Sequence, residues 1–315
     1  LSPQPFPDLP SLRDAGKAGV ARALARLERS SGTAEAAALL DAADAAPRGE
    51  VLGLTGPPGV GKSTLTGALV RGFRQAGETV AVIAVDPSSS RSGGALLGDR
   101  ARIPSDPEDR GVFIRSYAAR DRLGGLSDLA FGATILMRAL FDRVIVETVG
   151  VGQSEADVAI VGDTILLAVQ PASGDALQFI KAGVMELPDV VVVTKADLGA
   201  PARRARDDLE SALSLANRDE PGWEAPVALV SSESGEGLDL LTLHLAAHSA
   251  FLRADGRLAR RRRAQADARL LAAIKGRFGT EGVRAARELL DRLEGGPFAR
   301  EAEAARILSE RLRRG

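Results

Sequence analysis

Apolar positions along this chain follow two periods, and the switch between them predicts its elements. Residues 1–10 are rich in proline and read as extended. From Ser11 to Arg29, Val20, Leu24 and Leu27 fall at i, i+4 and i+7, which predicts one helix over that span. Thr33 stands where an N-cap belongs, opening an alanine-rich helix to Ala45 that Pro47, Arg48 and Gly49 end. From Glu50 onward, apolar runs of strand length take over at Thr79–Val85, Arg143–Glu147, Asp163–Val169, Val190–Val193 and Ala228–Val230. Helix-period stretches at Ser63–Ala76, Ser127–Phe141 and Leu238–Arg253 alternate with them, as does a helix ending near Leu187. Such alternation as far as about Phe251 predicts a mostly parallel sheet covered by helices on both faces, an α/β fold. Residues 257–315 carry only helical stripes: Leu270, Ile274 and Phe278, then Leu289, Leu290 and Leu293, then Ile307, Leu308 and Leu312. These stripes need a surface, either the sheet itself or a second copy of the chain.

Composition narrows the chemistry. With 315 residues, 45% of them hydrophobic, the chain can bury a substantial core. It has no cysteine, which excludes disulfides, thiolate zinc sites and a cysteine nucleophile. Its two histidines, His244 and His248, sit at i, i+4, a spacing that can bind zinc but reads here as an ordinary helix surface. There is no apolar run of about twenty residues and no signal-like segment, so a cytoplasmic protein that does not enter a membrane is expected. The net charge of −1 hides an asymmetry, because residues 251–315 hold 17 Lys or Arg against 9 Asp or Glu. The run Arg260–Arg263 has no aromatic side chains interleaved with it, so it reads as a basic helix face and not as a nucleic-acid site.

The strongest motif is Gly53-Leu-Thr-Gly-Pro-Pro-Gly-Val-Gly-Lys-Ser-Thr-Leu65, where an apolar strand runs into a glycine loop and then a helix start. It fits G-x-x-x-x-G-K-[ST] and implies a P-loop NTPase with helical extensions at both ends. Backbone N–H groups of Gly56, Gly59, Val60 and Gly61, with Lys62, Ser63 and Thr64, would cradle a polyphosphate, and the Ser63 hydroxyl would ligate Mg²⁺. Asp86 ends a buried strand at the sheet edge where ligands bind. Asp99, in the polar glycine-rich loop 87–100, is a further metal candidate. Glu147 ends another strand and leads into Gly150 and Gln153. In phosphoryl transfer an acid there orients Mg²⁺ or its water, a glycine N–H meets the γ-phosphate, and a glutamine positions the attacking water. Lys62, Asp99, Glu147 and Gln153 are therefore the catalytic candidates. Finally, Thr194-Lys195-Ala196-Asp197 follows a strand. The Asp197 carboxylate can accept both the N1–H and the amino group of guanine, a donor pair adenine lacks. Ser231, Ser232 and Glu233 follow a further strand, where a backbone contact to the base is expected.

These blocks resemble one family, the MeaB/ArgK-type GTPases associated with methylmalonyl-CoA mutase, in the metal- and cobalamin-chaperone branch of P-loop GTPases. The match rests on Thr55–Thr64, Val85–Ser89, Ser92–Arg100, Glu147–Glu155 and Thr194–Asp197. Thr194 stands where the base motif often has Asn, and Glu147 where the D-x-x-G element has Asp. The resemblance implies a homodimeric GTPase using GTP/GDP and Mg²⁺, attending an adenosylcobalamin-dependent acyl-CoA mutase and coupling hydrolysis to cofactor loading and protection. It further implies that Ser63 and Asp86 are metal ligands, that Lys195 and Asp197 hold guanine, and that 171–187 form an additional switch. It divides the chain into an N-terminal helical extension (1–48), a GTPase domain (49–252) and a C-terminal dimerisation arm (253–315). A low intrinsic rate is expected, because no arginine finger is identifiable. Two alternatives remain, a transport-system kinase or ATPase and a nickel-insertion GTPase.

Overall fold

A computed structural model describes residues 5–86, 103, 106, 108–118, 127–148, 158–171, 188–214 and 222–314. Its centre is a sheet of β1 (Glu50–Thr55), β2 (Val80–Asp86), β3 (Val112–Ala118), β4 (Arg143–Glu147), β5 (Thr164–Val169), β6 (Val190–Val193) and β7 (Val227–Leu229). The strand order is β3-β2-β4-β1-β5-β6-β7, and every pairing is parallel. Parallel strands need crossovers, and the intervening helices cover both faces.

The two-residue period of the strands sorts their side chains between those faces. Val51, Ala81, Ile83, Val144 and Val146 pack against α1 (Leu9–Asp14), α2 (Gly16–Arg29), α3 (Ala34–Ala45) and α5 (Asp128–Leu140). Leu52, Leu54, Val80, Val82 and Ile145 meet α4 (Lys62–Gln75) and α7 (Leu238–Arg253) on the other side. Leu167, Val169, Val191 and Val193 receive α6 (Ala200–Leu213) through Leu209 and Leu213. Each fully buried side chain of this kind contributes about 1.5–3 kcal/mol.

Several expectations change. The single helix over Ser11–Arg29 is two, because Gly16 takes a left-handed φ of 62° and breaks it, while Asp8 caps the first by accepting the Ser11 N–H at 2.8 Å. The Thr33 cap is present, its hydroxyl oxygen accepting from Ala36 N. Strand β3 had no counterpart in the sequence reading. Predicted elements on 87–100 and on the helix ending near Leu187 lie outside the described residues. Among the described residues no helix is long and apolar enough to cross a membrane.

The C-terminal stripes find their surface within the chain. Helices α8 (Arg257–Arg287) and α9 (Pro297–Arg314) bury Leu270, Ile274, Leu289, Leu293 and Leu308 between them, whereas Leu312 stays exposed. Asp41 of α3 accepts the N–H groups of Phe298 and Ala299 and so caps α9. The arginine run does not form a solvated face throughout. Arg261 grips Asp189 at 3.0 and 2.7 Å, and Arg262 grips Asp163 at 2.8 and 2.7 Å. Each aspartate also accepts a strand N–H, Ile165 for Asp189 and Val51 for Asp163, so both pairs lock α8 to the sheet's amino edge. His248 belongs to the same joint. Its ring is fully buried, with Nδ1 2.8 Å from Thr164 Oγ1 and Nε2 3.3 Å from Asp189. The surface reading of that histidine is thus overturned. Among the described residues no group of three or more His, Cys, Asp or Glu converges as a metal site.

Removing Arg262 would strand a carboxylate that is only 1% exposed. Arg262→Ala is expected to cost about 3 kcal/mol in urea unfolding. Arg262→Leu with Asp163→Asn should recover part of it, because the buried charge then disappears with its partner.

Candidate active site

The carboxyl ends of β1, β2, β4, β5 and β6 lie along one edge of the sheet, and the chemistry-bearing residues collect there. Strand β1 ends at Thr55 and passes through the glycine loop into α4, whose Gly61 cap has φ 96°. Gly56 cannot be replaced, since a Cβ there would lie 2.1 Å from the Ala168 carbonyl of β5. That close approach seats the loop on the sheet. The first turn of α4 then aims backbone N–H groups and the positive end of the helix at the loop.

Lys62 is buried, and its Nζ donates to the carbonyls of Gly56 at 2.7 Å and Pro57 at 3.0 Å. Glu147 pairs in register with Leu54 on one side and Ala84 on the other. This puts its carboxylate beside α4 and sets the Asp86 backbone two positions further along the neighbouring strand. Ser63 Oγ donates to Glu147 Oε1 at 2.6 Å, and Thr66 Oγ1 donates to Oε2 at 2.7 Å. With its proton directed at Glu147, the Ser63 oxygen keeps lone pairs for a hard cation, so this donor set fits Mg²⁺.

On the other side of the loop, Thr194 is buried and its hydroxyl points at Val60 O, 2.7 Å away, and at Val169 O, 3.1 Å away. It braces the phosphate loop against β5 and is turned inward, so it is not available to a base. Lys195 adopts φ 55°, is exposed, and donates to Gln170 Oε1 at 2.7 Å. Its Nζ also lies 3.5 Å from Gly59 O. Asp197 is exposed on the 3₁₀ turn Ala196–Leu198. The Ala196 N–H donates to Val230 O at 3.1 Å, which brings the Ser231–Glu233 turn alongside. Ser231 is buried, and its backbone N–H and carbonyl bond to Glu236 and Gly235 inside that turn. Ser232 is half-buried and Glu233 exposed.

The structure therefore gathers Gly56, Gly59, Val60, Gly61, Lys62, Ser63, Thr64 and Glu147 at the middle of the edge, beyond β1 and β4, and Lys195, Asp197, Ser232 and Glu233 beyond β6 and β7, with Lys195 Nζ reaching back toward Gly59. Asp99, Gly150 and Gln153 lie outside the described residues, as does the side chain of Asp86. Two residues that the sequence reading passed over belong here. Thr66 had a signal, being three positions after Ser63 and so on the same helix face. Gln170 also had one, as the first residue beyond a strand at the ligand edge.

The sequence profile of a family described as methylmalonyl Co-A mutase-associated GTPase MeaB matches residues 20–285. A Pyrococcus horikoshii protein provisionally named a GTPase is 42% identical over 228 residues, 72% of each chain. GTPase ArgK of Escherichia coli is 40% identical over 217 residues, 68% of this chain and 66% of that protein. The crystal structure of a LAO/AO transport system kinase superposes with a TM-score of 0.68 at 29% identity, covering 96% of both chains.

Proposed function

This chain belongs to the MeaB family of methylmalonyl-CoA mutase-associated GTPases, and from that premise we propose that it serves an adenosylcobalamin-dependent acyl-CoA mutase as a chaperone. In this reading GTP binding and hydrolysis are coupled to cofactor loading and protection. The chain is a P-loop GTPase, and guanine nucleotide is its ligand. The observation that best supports the proposed site is the contact of Ser63 with Glu147 at 2.6 Å beside the buried Lys62.

In the proposed mechanism, loop N–H groups and Lys62 hold the β- and γ-phosphates, while Ser63 and Asp86 hold Mg²⁺. A Mg²⁺ held there would supply positive charge to offset the negative charge that develops during phosphoryl transfer. Glu147 acts through the Ser63 hydroxyl, and Asp99 and Gln153 are the proposed partners of the attacking water. The water oxygen bonds to the γ-phosphorus as the bond to the bridging oxygen of GDP breaks, and the water's proton ends on phosphate. Lys195 and Asp197 take the guanine, with Ser232 and Glu233 along its edge. No arginine finger is assigned, so the intrinsic rate is low and a partner is expected to change it.

The mutase role predicts that purified methylmalonyl-CoA mutase co-elutes with this chain. It also predicts a change of about tenfold or more in GTP turnover, a coupling of the usual allosteric size. Light scattering on the same column should give two copies of this chain in the complex. No co-elution and an unchanged rate would remove the chaperone reading while leaving the GTPase intact.

The neighbouring structure is named for a transport system kinase, which favours a second reading. That reading requires tolerance of adenine and a phosphate-accepting substrate. Comparing ATP with GTP separates the two.

A further inference from the structure

Four hydroxyl side chains in the helices bond within their own helix: Thr134 donates to Ala130 O, Ser211 to Asp207 O, Thr242 to Leu238 O and Ser309 to Ala305 O, each the carbonyl four residues back. Thr66, like Ser249, which reaches Glu50 Oε1 at 2.8 Å, leaves its own helix. It is fully buried within α4, yet its hydroxyl crosses to Glu147 on β4, 81 positions along the chain, at 2.7 Å. Ser63, one turn earlier on the same face, makes the companion contact to the other oxygen of that carboxylate.

The pair of contacts fixes the carboxylate in two ways. A hydroxyl on each oxygen sets the rotation of the Glu147 carboxyl plane, and a bond to an ionised acceptor is about twice as strong as a neutral one. Glu147 is itself only 7% exposed, so losing one of its donors would carry a desolvation penalty and let the carboxylate turn from its present orientation. The next donor or cation within reach would compete with Ser63.

We propose that Thr66 is a positioning residue for GTP hydrolysis: by holding Glu147 Oε2 it keeps Oε1 on the Ser63 proton, and so keeps the Ser63 lone pairs turned toward the bound cation. The inference rests on the Mg²⁺-dependent GTPase reading. It places Glu147 behind the metal's ligand and not in direct contact with the ion. Residues in that relation to a metal typically alter its affinity by about 10–100-fold.

The test reads metal coupling apart from turnover. Release of methylanthraniloyl-GDP is timed with Mg²⁺ and with EDTA, and the ratio of the two rates measures how firmly the cation holds the nucleotide. Thr66→Val, which keeps the shape and loses the donor, should reduce that ratio about tenfold. GDP affinity in EDTA should stay near wild type, and the melting temperature should fall only by the few degrees that one lost buried hydrogen bond costs. Thr66→Ser restores the hydroxyl and should restore the ratio. In a Glu147→Gln background, Thr66→Val should add little, because the acceptor it positions has changed.

A wild-type ratio in Thr66→Val would overturn the proposal, and so would a Thr66→Ser variant as impaired as Thr66→Val, since a variant that keeps the hydroxyl would then fail as one that lacks it does, and the hydroxyl would not set the ratio. If wild-type protein itself released GDP equally fast with and without Mg²⁺, the magnesium reading would fall first and this inference with it. The two failures are therefore told apart by which protein shows them.

Discussion

Lys62→Ala should lower single-turnover GTP hydrolysis by about 10²–10³-fold, the usual consequence of removing one preorganised group aimed at developing charge. The lysine is well placed for this. Its side chain is 7% exposed, and its ammonium is held inside the loop by the Gly56 and Pro57 carbonyls. Little reorganisation is then needed at the moment of reaction, and the low-dielectric surroundings strengthen its interaction with the γ-phosphate. The same substitution strips two carbonyls of their donor, at a cost of about 1–3 kcal/mol. Loss of stability and loss of catalysis must therefore be separated. Quenched-flow hydrolysis at saturating GTP, run well below the variant's melting temperature, does so. If the rate at saturation matched wild type, Lys62 would be a structural member of the loop and nothing more. Lys62→Arg should not rescue, because a planar guanidinium cannot replace a compact ammonium held by the Gly56 and Pro57 carbonyls.

The elements that carry the site were readable because they obey local rules. Strands β1, β2, β4, β5 and β6 are runs buried on both faces, and the glycine loop advertises the strand-to-helix turn. Strand β3 obeys them poorly. Among the described residues it lies at the edge and pairs only with β2, and Arg115 and Ser116 interrupt its apolar run, Arg115 reaching out to Glu28 at 2.6 Å. An edge strand need satisfy only one neighbour, so its pattern is weaker. The break between α1 and α2 left one glycine as its trace, and the stripe from Val20 to Leu27 belongs wholly to the second helix. The arginine run misled for a different reason. What makes Arg261 and Arg262 internal is a pair of aspartates 72 and 99 positions away, and no local pattern records a partner that distant. Thr194 is similar. It stands where the base motif often has Asn, and its hydroxyl is claimed by Val60, 134 positions earlier. The motif names residues for the ligand edge. Which way each polar group turns there depends on contacts that only the folded sheet creates.

Base discrimination is the sharper consequence of that edge. Wild-type protein should prefer GTP to ATP strongly, and Asp197→Asn should collapse the preference by about 10³-fold. A fully enclosed site built around a hydrogen-bond donor rejects an analogue lacking it by about 10⁴–10⁵. The smaller figure applies because Asp197 is exposed on its 3₁₀ turn and water can reach a mismatched base. The reason for the loss lies in the donor count. A carboxylate accepts twice and matches the N1–H and amino group of guanine, whereas an asparagine amide accepts once and donates once. Xanthine offers N1–H as a donor and a carbonyl where guanine has its amino group, so the variant should gain affinity for xanthosine triphosphate as it loses GTP. Calorimetry with the three triphosphates reads all of this on one protein. Lys195, tied to Gln170 and near Gly59, should stay in place in the variant, so a folding defect is not expected to mimic the switch. Equal affinity of the wild type for ATP and GTP would remove the guanine assignment of Asp197 and favour the transport-kinase reading. A variant that kept the GTP preference would move the recognition to the Ser232 and Glu233 turn.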